Sequence, residues 1–155
     1  MAEAYGEFFS GVGVSTDGML AASGIPGESG ELVIIRGIEF RSVCEHHLLP
    51  FLGVAHVAYL PRTTVVGLGT IAKVVDTIAS RPQLQERLTE ELADALQAGL
   101  EPSGVLVVLD AVHGCVTARG PRQAHSSTVT LASRGKLDDA ASRAEALAMI
   151  GFGHD

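Results

Sequence analysis

Two apolar stretches rich in β-branched residues, LVIIRGIEF (32–40) and GVAHVAYL (53–60), predict a pair of strands, the second closed by Pro61. From Leu68 the apolar period lengthens. Ile71, Val74, Val75 and Ile78 share one face and predict a helix. Ser80-Arg81-Pro82 then resets the chain, because proline suits the first turn of a new helix and breaks an old one. That second helix carries Leu84, Leu88, Leu92 and Leu96 at four-residue spacing, with Glu and Gln over the rest. GVLVVLDAVH (104–113) predicts a largely buried strand, SSTVTLAS (126–133) an alternating partner, and the Ala-rich stretch 138–150 a last helix. The first eleven residues resemble the tail of a helix ending at Ser10-Gly11, and ASGIPGESGE (22–31) is loop-forming. The order strand, strand, helix, helix, strand, strand, helix predicts one antiparallel α+β domain over 1–155 with helices on one face.

Composition narrows the class. The chain has 155 residues, 46% of them hydrophobic but only 5% aromatic, with no Trp. Its apolar mass is therefore aliphatic, which suits a compact fold with extensive subunit contacts. A formal net charge of −7 disfavours a general polyanion binder such as a nucleic-acid-binding domain. No apolar run reaches the length of a membrane span, and MAEAYGEFFSG has neither a basic n-region nor an apolar h-region. The expectation is a cytoplasmic protein.

Candidate chemistry is concentrated in FRSVCEHHLLPFLG (40–53) and HGC (113–115). Two cysteines, Cys44 and Cys115, are too few for a disulfide scaffold. A single Cys44–Cys115 disulfide is the plain alternative, but both have histidine neighbours. Cys44 and His47 form a C-x-x-H pair, and Cys115 adds a third soft ligand from a distant strand. Thiolate and imidazole are ligands that zinc prefers, and three protein ligands leave the fourth position open for water, as in a catalytic site. His46 and His113 stand beside these ligands, and imidazole suits proton transfer near neutral pH. A histidine at a strand end is also commonly structural, and His56 and His125 are assigned that role. His154, in the C-terminal tail, is assigned none. Glu86, in the first turn of the second helix, has two readings. The helix dipole favours a carboxylate there, and a carboxylate aimed into a pocket can hold an amidine-like edge such as that of guanine.

Taken together and in order, CEHHLLPFLGVAHVAYLP, VVGL, RPQLQERLTEELADAL, AVHGCVTARG and SSTVT resemble the GTP cyclohydrolase I family, from about Tyr5 to the final helix. The resemblance implies the tunnelling fold, in which antiparallel sheets of several subunits close into a β-barrel ring. It implies a homo-oligomer, an octamer or decamer, with active sites at subunit interfaces. Cys44, His47 and Cys115 would hold Zn2+, and His46 and His113 would be the acid–base pair. Water polarised by the zinc would add at C8 of the purine, the imidazole ring would open, and C8 would leave as formate. Glu86 would anchor guanine with Gln85 beside it and the Val66–Leu68 backbone near the base. Arg119 and Lys73, the latter where the family usually has arginine, would face the ribose-phosphate end.

The family's G-L-S-K motif stands here as Gly67-Leu68-Gly69-Thr70, without its serine and its triphosphate-gripping lysine. AYGEFFSG corresponds to the stretch after the family's T-P-x-R-V-A segment, so that segment's arginine is not within these residues. Each charge-assisted hydrogen bond to an ionised group contributes roughly 1.5–3 kcal/mol. Losing an arginine and a lysine weakens triphosphate binding by about a few powers of ten; Arg62 and Arg122 are the available substitutes. The expected substrate is a guanine-type purine with few or no phosphates. The alternatives are ordinary GTP turnover to dihydroneopterin triphosphate, and a non-catalytic zinc protein that binds a purine or pterin.

Overall fold

The run GVLVVL (104–109) is apolar without alternation, and the structure shows why: every one of these residues is buried, because both faces of their strand are covered. The computed structural model describes residues 1–27 and 30–152. In chain order the elements are α1 (Ala2–Phe8), α2 (Met19–Ala22), β1 (Gly24–Pro26), β2 (Val33–Cys44), β3 (Pro50–Leu60) and β4 (Thr64–Val66). They are followed by α3 (Leu68–Ala79), β5 (Pro82–Gln83), α4 (Gln85–Leu100), β6 (Gly104–His113), α5 (Gly114–Thr117), β7 (Thr128–Gly135), a 3-10 turn (Lys136–Asp138) and α6 (Ala140–Ile150). The main sheet has the order β5-β2-β3-β6-β7, and β1 and β4 form a separate small pair. All pairings in the main sheet are antiparallel except that of β5 with β2.

On one face, Ala55, Val57 and Tyr59 of β3 and Val105, Val107 and Leu109 of β6 pack against the apolar stripes of α3 and α4. The intervening residues Ala58, Leu106 and Val108 point the other way, onto Leu137, Ala146 and Ile150. The two long helices thus lie on one face, while α6 covers part of the opposite one. Sequence alone does not separate these sides, because the Ala-rich α6 has a weak apolar stripe.

Three local features differ from the sequence expectation, each for a physical reason. First, β2 and β3 run further than predicted, to Cys44 and from Pro50. A bulge between Ile35 and Ile38, with Gly37 at φ 72°, adds one residue to β2. It reverses the side-chain parity, so Val33 and Ile35 before it and Ile38 and Phe40 after it all face the main core. Second, Pro82 does not open the second helix. It pairs in extended form beside Val43, at a sheet edge where its missing N–H costs nothing, and the helix starts at Gln85. Third, residues 24–26, within the expected loop, form a short strand against Thr64–Val66.

Gly53 of β3 lies opposite Ala111 of β6. A Cβ there would come within 2.2 Å of the Asp110 carbonyl oxygen and 2.7 Å of the Ala111 Cα. Both are backbone atoms in the middle of a ladder and cannot step aside. Gly53→Ala is expected to destabilise the protein by about 2 kcal/mol, read as a lower thermal unfolding midpoint. Gly69→Ala, at a glycine with open space around it, should leave the midpoint nearly unchanged.

Candidate metal and acid–base site

Cys44 ends β2, and the turn that follows is tightly tied. The Cys44 N–H donates to the Leu49 carbonyl (2.9 Å), the Leu48 N–H to the Cys44 carbonyl (2.8 Å) and the Glu45 N–H to the Gln83 carbonyl (3.0 Å). Leu48 adopts φ 52°, which reverses the chain within a few residues. Tyr5 of α1 caps the same turn, its hydroxyl donating to the Leu48 carbonyl (3.0 Å). The Glu45 carboxylate pairs with Arg87 of α4, whose guanidinium also donates to the Gln83 side chain (3.0 Å) and the Pro82 carbonyl (3.2 Å). The Arg87 hydrogen bond holds the Glu45 carboxyl below the usual carboxylate range.

From the neighbouring strand, β6 ends at His113 and α5 begins at once, bringing Cys115 back towards Cys44. The ligand atoms of Cys44, His47 and Cys115 all lie within 4.8 Å of one another. Donors on a tetrahedral zinc with bonds of about 2.3 Å stand about 3.8 Å apart, so two thiols and an imidazole at this spacing fit the ion. Both cysteines are free. Burial, and then the nearby Cys44, push the Cys115 thiol up, while the Arg119 charge draws it down. A dication at this point favours the thiolates that the protein alone disfavours.

The His113 ring stacks on Phe51, with centroids 4.5 Å apart and planes 6° from parallel. The Gln85 amide oxygen lies 2.6 Å from its Nε2. Burial pushes His113 below its ordinary value and the Glu86 carboxylate acts in the opposite sense. His46 lies across from His47, with ring centroids 6.2 Å apart, and is exposed. The structure therefore gathers Cys44, His46, His47, Gln85, Glu86, His113, Cys115 and Arg119 around the ends of β2 and β6. It does not bring Leu68 and Lys73 to them. Lys73 lines a separate hollow at the start of α3, with Met19, Ser23, Gly67, Gly69 and Thr70. Leu68, at the head of that helix, is 63% exposed.

Among the described residues, neither His56 nor His125 belongs to the metal group. His56 accepts the Gly37 N–H on Nδ1 (3.1 Å), supporting the bulge, and meets Phe152 edge to face. His125 is exposed, and His154 lies outside the described residues. Three contributors went unseen in the sequence: Phe51, Arg87 and Thr128. Phe51 was detectable in principle, because the alternation of β3 extends back to it. Arg87, and the Thr128 carbonyl that accepts from the Gln85 amide (2.8 Å), act through contacts between distant segments, which carry no local signal.

The antiparallel sheet backed by two helices is that of a tunnelling-fold protein. The fold is shared with an archaeosine synthase QueF-Like protein (TM-score 0.58, 23% identity, 70% of this chain and 97% of that one). It is shared also with dihydroneopterin aldolase of E. coli (TM-score 0.53, 18% identity, 68% of this chain and 100% of that one). The model of the GTP cyclohydrolase I family matches residues 1–151. A GTP cyclohydrolase 1 from Leifsonia xyli subsp. xyli is 60% identical over 155 residues, which is 99% of this chain and 81% of the relative. One from Bacillus cytotoxicus is 50% identical over 153 residues, 97% and 80% respectively. The chain belongs to the GTP cyclohydrolase I family.

Cys44→Ser and Cys115→Ser are each expected to lose most bound zinc on dialysis, by elemental analysis, while Glu86→Gln retains it. Ligation requires thiolates, and burial raises the Cys115 thiol, so protons compete with the metal. Zinc affinity in a competition titration should fall as pH is lowered, and more shallowly in Cys115→Ser.

Proposed function

We propose that this chain is a zinc-dependent cyclohydrolase that opens the imidazole ring of GTP at C8 and releases that carbon as formate. The observation that carries the reading is a three-ligand soft metal group with a clamped imidazole two residues from ligand Cys115 and an exposed carboxylate whose charge reaches that imidazole. Zinc held by Cys44, His47 and Cys115 would supply Lewis acidity towards the attacking water. His113, held by Phe51 and Gln85, is placed to exchange a proton with a purine ring nitrogen. His46, next to ligand His47 and open to solvent, is the second proton carrier. Glu86 is exposed beside His113 and can accept from N1–H and the 2-amino group of guanine together. Arg119, close enough for its charge to act on Cys115, is assigned to the ribose-phosphate end. Relatives at 60% and 50% identity carry the name GTP cyclohydrolase 1, which supports GTP as the substrate.

The separation of the Lys73 hollow from the metal group supports a site completed by a second copy. If the phosphate-end residues come from a neighbouring subunit, Leu68 and Lys73 need not reach Cys44 within their own chain. β7, paired on one side only among the described residues, offers an edge through which copies can join into a ring. No helix among the described residues is long and apolar enough to cross a membrane, and a nucleotide substrate suits the cytoplasm.

One observation favours a second reading, in which the substrate has few or no phosphates. Gly69 and Thr70 stand where the family has serine and lysine, leaving Lys73 as the cation of that hollow.

A panel of GTP, GMP, guanosine and guanine with zinc-loaded protein, followed by formate release and product mass, distinguishes the readings. Turnover of GTP is expected, and ring opening of GMP or guanosine with GTP inert would establish the second reading instead. His113→Ala and His46→Ala should each lower ring opening by about 10²–10⁴-fold while retaining zinc. Normal turnover in both would remove the acid–base assignment.

Restoring the motif with the double substitution G69S/T70K provides a separate check on the phosphate end. One recovered charge-assisted contact is expected to lower the KM for GTP by about tenfold to a hundredfold. An unchanged KM would mean that the hollow beside Lys73 does not receive the phosphates.

A further inference from the structure

Gln85 is only 2% exposed although it stands in the first turn of α4 beside the site. Its Nε2 reaches the Thr128 carbonyl (2.8 Å), the Thr130 hydroxyl (3.1 Å) and the Leu109 carbonyl (3.3 Å). Two of these are carbonyls and can only accept, so the end of the amide that faces them is the NH2 end. The third is made an acceptor by its own neighbour. Thr89 donates its hydroxyl to the Gln85 main-chain carbonyl (2.7 Å), which leaves Thr130 to donate to Thr89 and accept from Gln85. The amide oxygen is therefore fixed towards His113, 2.6 Å from Nε2. An oxygen that can only accept requires a ring nitrogen that donates.

We propose that Gln85 is a positioning residue, not a substrate contact: it holds His113 as the Nε2–H tautomer and leaves Nδ1 as the nitrogen that meets the purine. The inference rests on the acid–base role given to His113 above. Phe51 contributes the second constraint. Stacking fixes the plane of the ring, and the amide fixes its rotation within that plane. A hydrogen-bonded neighbour that selects a catalytic histidine's tautomer is a general device, and loss of the correct tautomer can cost orders of magnitude in rate. The amide donors are consumed inside the protein, so Gln85 has no side-chain hydrogen left for a guanine.

Long-range 1H–15N spectra of zinc-loaded protein labelled at histidine nitrogen test this directly, with the His113 signals identified by their loss in His113→Ala. The expected pattern for neutral His113 is a protonated Nε2 and an unprotonated Nδ1. The opposite tautomer, or an even mixture of the two, would overturn the proposal. In Gln85→Met, which keeps the volume and removes both ends of the amide, the single-tautomer pattern should disappear. Its kcat should fall by about 10-fold to 100-fold, with KM for the purine substrate within about threefold of the parent. A raised KM at unchanged kcat would make Gln85 a substrate contact and sink the idea. Absence of ring opening on any purine would overturn the proposed function, while the spectrum of the unaltered protein still decides the tautomer.

Discussion

Between Phe51 and Leu60, β3 runs against β6 from His113 back to Gly104 without a break in register. This pairing determines where the site is. It sets Phe51 opposite His113, so the phenyl ring lies under the imidazole, and it delivers Cys115 two residues later beside the end of β2. Because side chains alternate along a strand, a slip of one residue would turn the stacked ring away from His113. The core enforces the register: Val105, Val107 and Leu109 must face α3 and α4, while Leu106 and Val108 must face α6. Burial of this aliphatic surface is the main stabilising term, at roughly 25 cal/mol per Å². The same burial excludes any shift that would misplace the chemistry.

Helix α4 is the second support. Its inner face fills the core through Leu88, Leu92 and Leu96, and its first turn presents Gln85, Glu86 and Arg87 in succession. About 100° of helical rotation separates each from the next, so they address different partners: the His113 ring, the open site and the Glu45 turn. Position and polarity therefore come from one element anchored by apolar packing, and the polar contacts need contribute little to overall stability. Their work is orientation.

Much of this was legible in the sequence because it depends on local pattern. The four-residue leucine spacing gave α4, the Ile71-Val74-Val75-Ile78 face gave α3, and CEHH with HGC gave the soft-ligand set whose atoms the fold brings within 4.8 Å. What escaped was set by tertiary contact. Pro82 suggested a helix start, but the edge of β2 recruited it as a strand, since nothing there needs its N–H. The parity switch at Gly37 is invisible without its partner strand. Helix α6 went to the opposite face because β6 is apolar on both sides. Gln85 read as a companion of Glu86 at the base, whereas the carbonyls that occupy its amide come from β6 and β7, 24 and 43 residues away.

The tether between Arg87 and Glu45 has a consequence for how the site can fail. The turn bearing His46 and His47, the clamp on His113 and the carboxylate of Glu86 are all referenced to one half-turn of one helix. Any displacement of that helix start moves His47, His113 and Glu86 in step. On the roles proposed above, damage to the site is therefore expected to be correlated: a substitution that disturbs the head of α4 should degrade metal retention, rate and substrate affinity together. One confined to a single side chain separates them. The pattern of loss across these three measurements thus reports whether a variant has changed a group or the frame that carries it.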